Sequence, residues 1–188
     1  MSSRIVIALA LMFSSTIVFA KDVAGVALPD SVTLGAKPAL VLNGAGIRSK
    51  FFIKVYVGAL YLPARIRDAS VVLRNTGPVS MHMHFVHSEV SKEKLVKAWN
   101  EGFEANLDAT ERTRLGARIE RFNNFFQTAH KGDVIRLDYL PGNGTTVTIN
   151  NESRGVIEGE DFMQAWLRIW LGRQPADGDL KQGLLGLD

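Results

Sequence analysis

The stretch from Leu40 to Pro63, LVLNGAGIRSKFFIKVYVGALYLP, decides how this chain folds. An apolar run enters Gly44-Ala45-Gly46, as the first strand of a dinucleotide-binding unit does. That unit needs G-x-G-x-x-G between a strand and a helix, so that the backbone can approach a pyrophosphate and the helix N-terminus can hold it. Here the third glycine position is Ser49, and the residues that follow are the β-branched and aromatic mixture of a strand. No helix dipole would stand where the phosphates must lie, and Asp68, at the spacing of a ribose-binding acid, is the sole remaining match. The glycines are expected instead to form a turn between a strand at Ala39–Leu42 and a long strand from Phe51 that ends before Pro63.

Within this stretch Arg48, Lys50, Phe52, Lys54, Tyr56, Gly58, Leu60 and Leu62 share one parity. On a straight strand Arg48 and Tyr56 would face the same way but stand roughly 27 Å apart, at about 3.3 Å per residue. They meet only if the chain folds back, and Ser49-Lys50 is the expected place. Gly58 would let another element come close to the strand. A guanidinium beside a phenol at the end of an apolar sheet is a receptor for a carboxylate, because arginine stays charged, binds both oxygens and gains a second donor. Pattern alone favours the plainer reading, with Arg48 an exposed strand-end residue and Tyr56 an ordinary core residue.

The whole chain has 188 residues, 46% hydrophobic and 22% charged, the composition of one compact domain. Residues 1–20, MSSRIVIALALMFSSTIVFA, carry one positive charge at Arg4, an apolar run from Ile5, and Val18-Phe19-Ala20 at the end. This is the pattern of a secretory signal cut after Ala20, leaving a domain over residues 21–188 in the periplasm or outside the cell. Ser14-Ser15-Thr16 interrupts the run, which falls short of the roughly 18 apolar residues a membrane span needs. Contact with a membrane is therefore expected only through an uncleaved signal.

Removing that signal takes away Arg4 alone, leaving 21 basic against 19 acidic residues and a net charge of +2. The charges are interspersed, as in KEKLVKAWNEGFE and ATERTRLGARIERF, with no basic stripe to follow phosphates, so nucleic acid is not an expected partner. There is no cysteine, hence no disulfide and no thiolate metal site.

Beyond Pro63 the pattern predicts a short helix over 67–75 with Asp68 as cap, and then a strictly alternating strand over 79–88. Two amphipathic helices follow, one capped by Ser91 with Leu95, Trp99, Phe103 and Leu107 on its apolar face, and one beginning near Thr110. A hairpin of VIRLDYL and TTVTIN, a short strand GVIEG and a helix EDFMQAWLRIWLG complete the chain, the last with Phe162, Trp166, Ile169 and Trp170 on one face. Ser31–Leu34 adds a short strand near the start. Strands, helices, strands and a helix in that order indicate an α+β domain with a mostly antiparallel sheet. His82 and His84 lie two apart on one strand face and could chelate a metal, but no third ligand sits at diagnostic spacing, so neither a metal nor a cofactor is expected. No G-x-S-x-G elbow is present.

The segments NGAGIRSKFFIKVYVGALYLP, KGDVIRLDYLPGNGTTVTIN, GVIEGEDFMQAWLRIWLG and the closing LLG together resemble a bacterial member of the chalcone isomerase-like group, over nearly the whole chain after the signal. The resemblance implies an open-faced β-sandwich, an antiparallel sheet covered on one face by helices with a ligand cleft between. The plant isomerases close a chalcone to a flavanone by intramolecular attack of a phenolate, aided by an arginine, a threonine and a tyrosine. Arg48 matches the family arginine; Tyr56 falls where isomerases have threonine and fatty-acid-binding relatives have tyrosine. The segment HSEVSKEKL, which would supply the isomerase tyrosine, has Val90 and Ser91 and no phenol. The resemblance thus favours a non-catalytic binder of an apolar carboxylate such as a fatty acid, with Arg48 and Tyr56 as ligand-binding residues. An isomerase of the intramolecular lyase type acting on an unsaturated carbonyl compound, and a module that binds a membrane-associated protein, are the alternatives.

Overall fold

A computed structural model describes residues 20–35 and 38–187. The expected signal, apart from Ala20, lies outside the described residues. In chain order the elements are β1 (Ala20–Val23), β2 (Val26–Pro29), β3 (Ser31–Val32), β4 (Leu40–Lys50), β5 (Ile53–Leu62), α1 (Ala69–Leu73), β6 (Val79–Phe85), β7 (Glu89–Val90), α2 (Lys92–Asn106), α3 (Ala109–Asn124), β8 (Ala129–His130), β9 (Val134–Leu140), β10 (Gly144–Ile149), β11 (Glu152–Ile157), α4 (Glu160–Leu171) and α5 (Gly178–Leu184). Seven strands form one antiparallel sheet in the order β11-β10-β9-β6-β5-β4-β3. The helices pack on one face of it, as expected for an open-faced sandwich.

Local chemistry accounts for the helix starts. The Asp68 carboxylate accepts from Ser70 N–H at 2.7 Å and the Ser91 hydroxyl from Lys94 N–H at 3.4 Å. Asp108 and Glu111 close a reciprocal capping box that starts α3, each side chain bonding the other's backbone N–H. Between helices and sheet the core is rich in aromatic rings. Trp99 meets Phe122 and Trp170 edge-on at centroid distances of 5.5 and 5.7 Å. The expected apolar face of α4 is present, but Met163, Ala165, Leu167 and Leu171 are buried as well, so this helix is enclosed nearly all round.

The sheet's second face is half covered. Leu28, Leu34, Leu40, Leu42, Ala45, Val57, Ala59 and Tyr61 form a smaller core there, under the β1–β2 hairpin and the segment that follows it. That hairpin and α5 were not foreseen from the sequence.

The opening stretch departs from its expected form. Gly44 and Gly46 lie inside β4, not in a turn, and the reversal comes at Phe51-Phe52, just beyond the expected Ser49-Lys50. Both glycines face α5. A Cβ on Gly44 would collide with the Gly183 carbonyl and stand 2.8 Å from Gly186 N and Leu184 O. Gly183 in turn sits against Ala45 and Gly46, where its own Cβ would come within 2.8 Å of Gly46 Cα. The glycines are therefore a flat place on the strand where a helix backbone rests directly, an arrangement that a side chain at Gly44 would prevent.

Asn43 is an unpaired extra residue in β4, since Leu42 pairs with Tyr61 and Gly44 with Leu60. Such a bulge reverses the alternation of the strand. Before it Leu40 and Leu42 face the smaller core; after it Ala45 and Ile47 do, and Gly44, Gly46 and Arg48 turn to the helix side. The Asn43 amide donates to Leu184 O at 2.7 Å and Ile66 O at 3.0 Å and accepts from Ile66 N–H at 2.6 Å, so the bulge is tied to the end of α5.

Gly44→Ala is expected to lower stability by about 3 kcal/mol, because backbone atoms opposite it must move apart. Gly116→Ala, in the middle of α3 with nothing near its Cβ position, should instead raise stability by roughly 0.5–1 kcal/mol. Urea unfolding of both variants checks this; equal effects would contradict the backbone contact.

Candidate functional site

Because the chain reverses at Phe51-Phe52, Arg48 and Tyr56 become direct cross-strand partners in β4 and β5. The Arg48 guanidinium carbon lies 5.9 Å from the Tyr56 ring centroid, over its face. Tyr56 is buried, and its hydroxyl accepts a hydrogen bond from Trp170 Nε1 at 2.8 Å, which leaves the hydroxyl hydrogen to be donated. Burial raises the Tyr56 pKa above the ordinary phenol value, against the opposing pull of Arg48, so the group is a neutral donor at physiological pH. The family resemblance points to both residues, whereas the sequence shows Trp170 only as part of an apolar helix face, since its register with Tyr56 depends on how α4 crosses the sheet.

Arg48 Nε is buried with no hydrogen-bond partner among the described residues. No carboxylate pairs with Arg48 there either. The nearby Asp177 is engaged elsewhere: one oxygen accepts from Ser49 N–H at 2.9 Å and the other caps α5 at Leu180 N–H, 3.0 Å.

Arg48 and Tyr56 line a cleft of about 350 Å³ between the β4–β5 hairpin, the end of β6 and the first half of α2. Its apolar walls are Ile53, Val55, Phe85, Val90, Leu95 and Ala98; its mouth carries Lys50, His87, Glu89, Lys94, Lys97 and Glu101. Val90 contributes an apolar surface where the family resemblance implies an isomerase phenol. The arrangement is an apolar slot with one under-bonded cation and one phenol donor at a shared wall. A larger depression of about 630 Å³ lies by the end of α2, where Arg168 bonds both Glu111 oxygens and Asn106 bonds Gly102 and Gln174.

Comparison with known proteins agrees with this architecture. The chalcone isomerase-like family model matches residues 20–186. A crystal structure of a fatty-acid binding protein from Arabidopsis thaliana superposes with a TM-score of 0.62 at 16% identity, covering 86% of this chain and 92% of that one, and shows the same fold. No curated protein sequence matches the chain.

His82 and His84 lie on the opposite sheet face, away from the cleft, with ring centroids 6.1 Å apart. Among the described residues no group of three His, Cys, Asp or Glu side chains could hold a metal ion. His82 packs on Tyr61 at 4.7 Å, and burial, helped by His84 and Arg136, pushes its pKa down to about 3. Its unfolded pKa is near 6.5, so the unfolded chain binds the extra proton. The stability that neutral His82 contributes is complete above pH 6.5 and is lost as pH falls toward 3. Between pH 6 and 4 the wild type should lose about 1.4 kcal/mol per pH unit more than His82→Leu does, one proton's worth, read from urea melts across pH. Parallel curves would show that His82 is not held neutral.

Proposed function

The chain belongs to the chalcone isomerase-like family, and on that premise we propose that it is a non-catalytic binder of an apolar carboxylate such as a fatty acid, exported to the periplasm or secreted. The observation that carries the reading is Arg48: a permanent cation whose buried Nε has no partner among the described residues, set into the wall of an otherwise apolar cleft. A carboxylate there receives charge-assisted hydrogen bonds from the guanidinium, and Tyr56 supports the arginine with its ring face and offers its hydroxyl hydrogen. The acyl chain lies along Val55, Phe85, Val90, Leu95 and Ala98, where its methylenes leave water at about 0.8 kcal/mol each. The similarity in fold to a fatty-acid binding protein supports the same ligand class, and the signal-like residues 1–20 support export.

Cyclisation of a chalcone would require several donors aimed at a developing enolate oxygen. The cleft segment with Val90 and Ser91 supplies no phenol for that work, and a binder needs only the anchor and the slot.

Titration of delipidated protein with a long-chain fatty acid, followed by calorimetry, tests the reading. Arg48→Gln should weaken binding by about tenfold to a hundredfold, the 1.5–3 kcal/mol typical of a hydrogen bond to a charged group. The methyl ester of the same acid should bind wild type and variant alike. Undiminished binding in Arg48→Gln would contradict the anchor, and Arg48-dependent cyclisation of an added chalcone would put the isomerase reading first.

A further inference from the structure

The tip of the β4–β5 hairpin is built against the usual rules for a water-exposed turn. Lys50 pairs with Ile53, so Phe51-Phe52 is a two-residue loop, with φ of 50° and 66°. Two successive left-handed residues are the conformation for which hairpins select Asn-Gly, and bulky side chains are strained in it. These two phenylalanines are also out in solvent, at 84% and 104% of full exposure, and Ile53 beside them is half exposed. The turn therefore gains neither relaxed backbone nor burial from its residues. Strain combined with exposed aromatic surface indicates a function outside the folded chain.

The chemistry around the tip indicates what it meets. Lys50 and Lys54 flank the three apolar residues on the two strands and are exposed. Lys94 and Lys97 stand across the cleft mouth, the latter 3.8 Å from Glu101, with Glu89 also at the rim. An apolar point between cations matches the boundary of an anionic bilayer, where rings enter the acyl region and ammonium groups stay among headgroups. A second copy seated tip to tip would instead set Lys50 and Lys54 against their own counterparts. We propose that the Phe51-Phe52 tip docks this protein on the surface of an anionic lipid bilayer, with the mouth of the Arg48 cleft turned toward it. Lys50, Phe51 and Ile53 belong to both tip and cleft, so the docked protein presents its slot to the lipid phase. This is a membrane contact separate from the signal segment. Docking itself stands on the tip alone, whatever the cleft holds.

The test uses the chain from Ala20 onward, which carries every described element and lacks the apolar leader that would bind lipid by itself. Flotation with vesicles of phosphatidylcholine containing about 30% phosphatidylglycerol, and with phosphatidylcholine alone, should show binding to the anionic vesicles only. Combining Phe51→Asn with Phe52→Gly should weaken that binding by about tenfold or more, while the variant melts no lower than wild type because its turn now suits its backbone. Lys50→Glu with Lys54→Glu should also lose binding. Wild type that stays unbound, or an Asn-Gly variant that binds as well as wild type, overturns the proposal. So does a wild-type dimer that sedimentation velocity shows the Asn-Gly variant to dissolve, without vesicle binding by either. Phe52→Gly alone, at the fully exposed tip residue that does not line the cleft, should weaken vesicle binding and leave fatty-acid affinity in the absence of vesicles unchanged, which separates failure of docking from failure of the Arg48 anchor.

Discussion

One inserted residue, Asn43, sets the side of the sheet on which the chemistry stands. A strand has a side-chain period of two, so without the bulge Arg48 would share the face of Leu40 and Leu42 and point into the smaller core. With it, Arg48 reaches the helix-covered face and meets Tyr56. The bulge is fastened by three hydrogen bonds through one side-chain amide, to Ile66 and to Leu184. The same residue thus holds the register of the sheet, the chain leading to α1 and the C-terminal end of α5.

The glycines complete that arrangement. With Gly44 and Gly46 bare on the helix side, α5 lies backbone to backbone on β4, and its capping residue Asp177 reaches Ser49 next to Arg48. Arg48 is therefore held between a strand pinned by a helix and the ring of Tyr56, whose hydroxyl is itself fixed by Trp170. Leaving a buried donor of this kind unbonded costs roughly 1–3 kcal/mol. On the proposed reading, a carboxylate bound beside Arg48 would recover that cost. The rest of the cleft, from Val55 to Ala98, is ordinary packing surface left open to solvent at one end.

Much of this was legible in the residues. Alternation from Val79, the four-residue spacing in α2 and the caps Asp68 and Ser91 each express a local rule; α1 and α2 begin at their caps, while the strand expected over 79–88 starts at Val79 but stops at Phe85. Gly44 and Gly46 do not form the turn that a glycine suggests locally, because their role is set by Gly183, far along the chain. The α5 helix, seven residues of mixed polarity, has too few turns to show a period. Phe51-Phe52 carries none of the Asn-Gly signal by which a tight hairpin is recognised, so the sequence pattern puts the fold-back two residues early. Arg48 and Tyr56 could be named from the sequence, yet their meeting rested on a bulge and a turn that no periodicity announces.

The most direct measurement of the central claim is mass spectrometry of an organic extract from the protein isolated without detergent, beside Arg48→Ala prepared in the same way. A carboxylate anchored by Arg48 predicts acyl chains near one per protein in the wild type and their loss from the variant. Extracts that are both empty, or that carry the same lipid in the same amount, would contradict it.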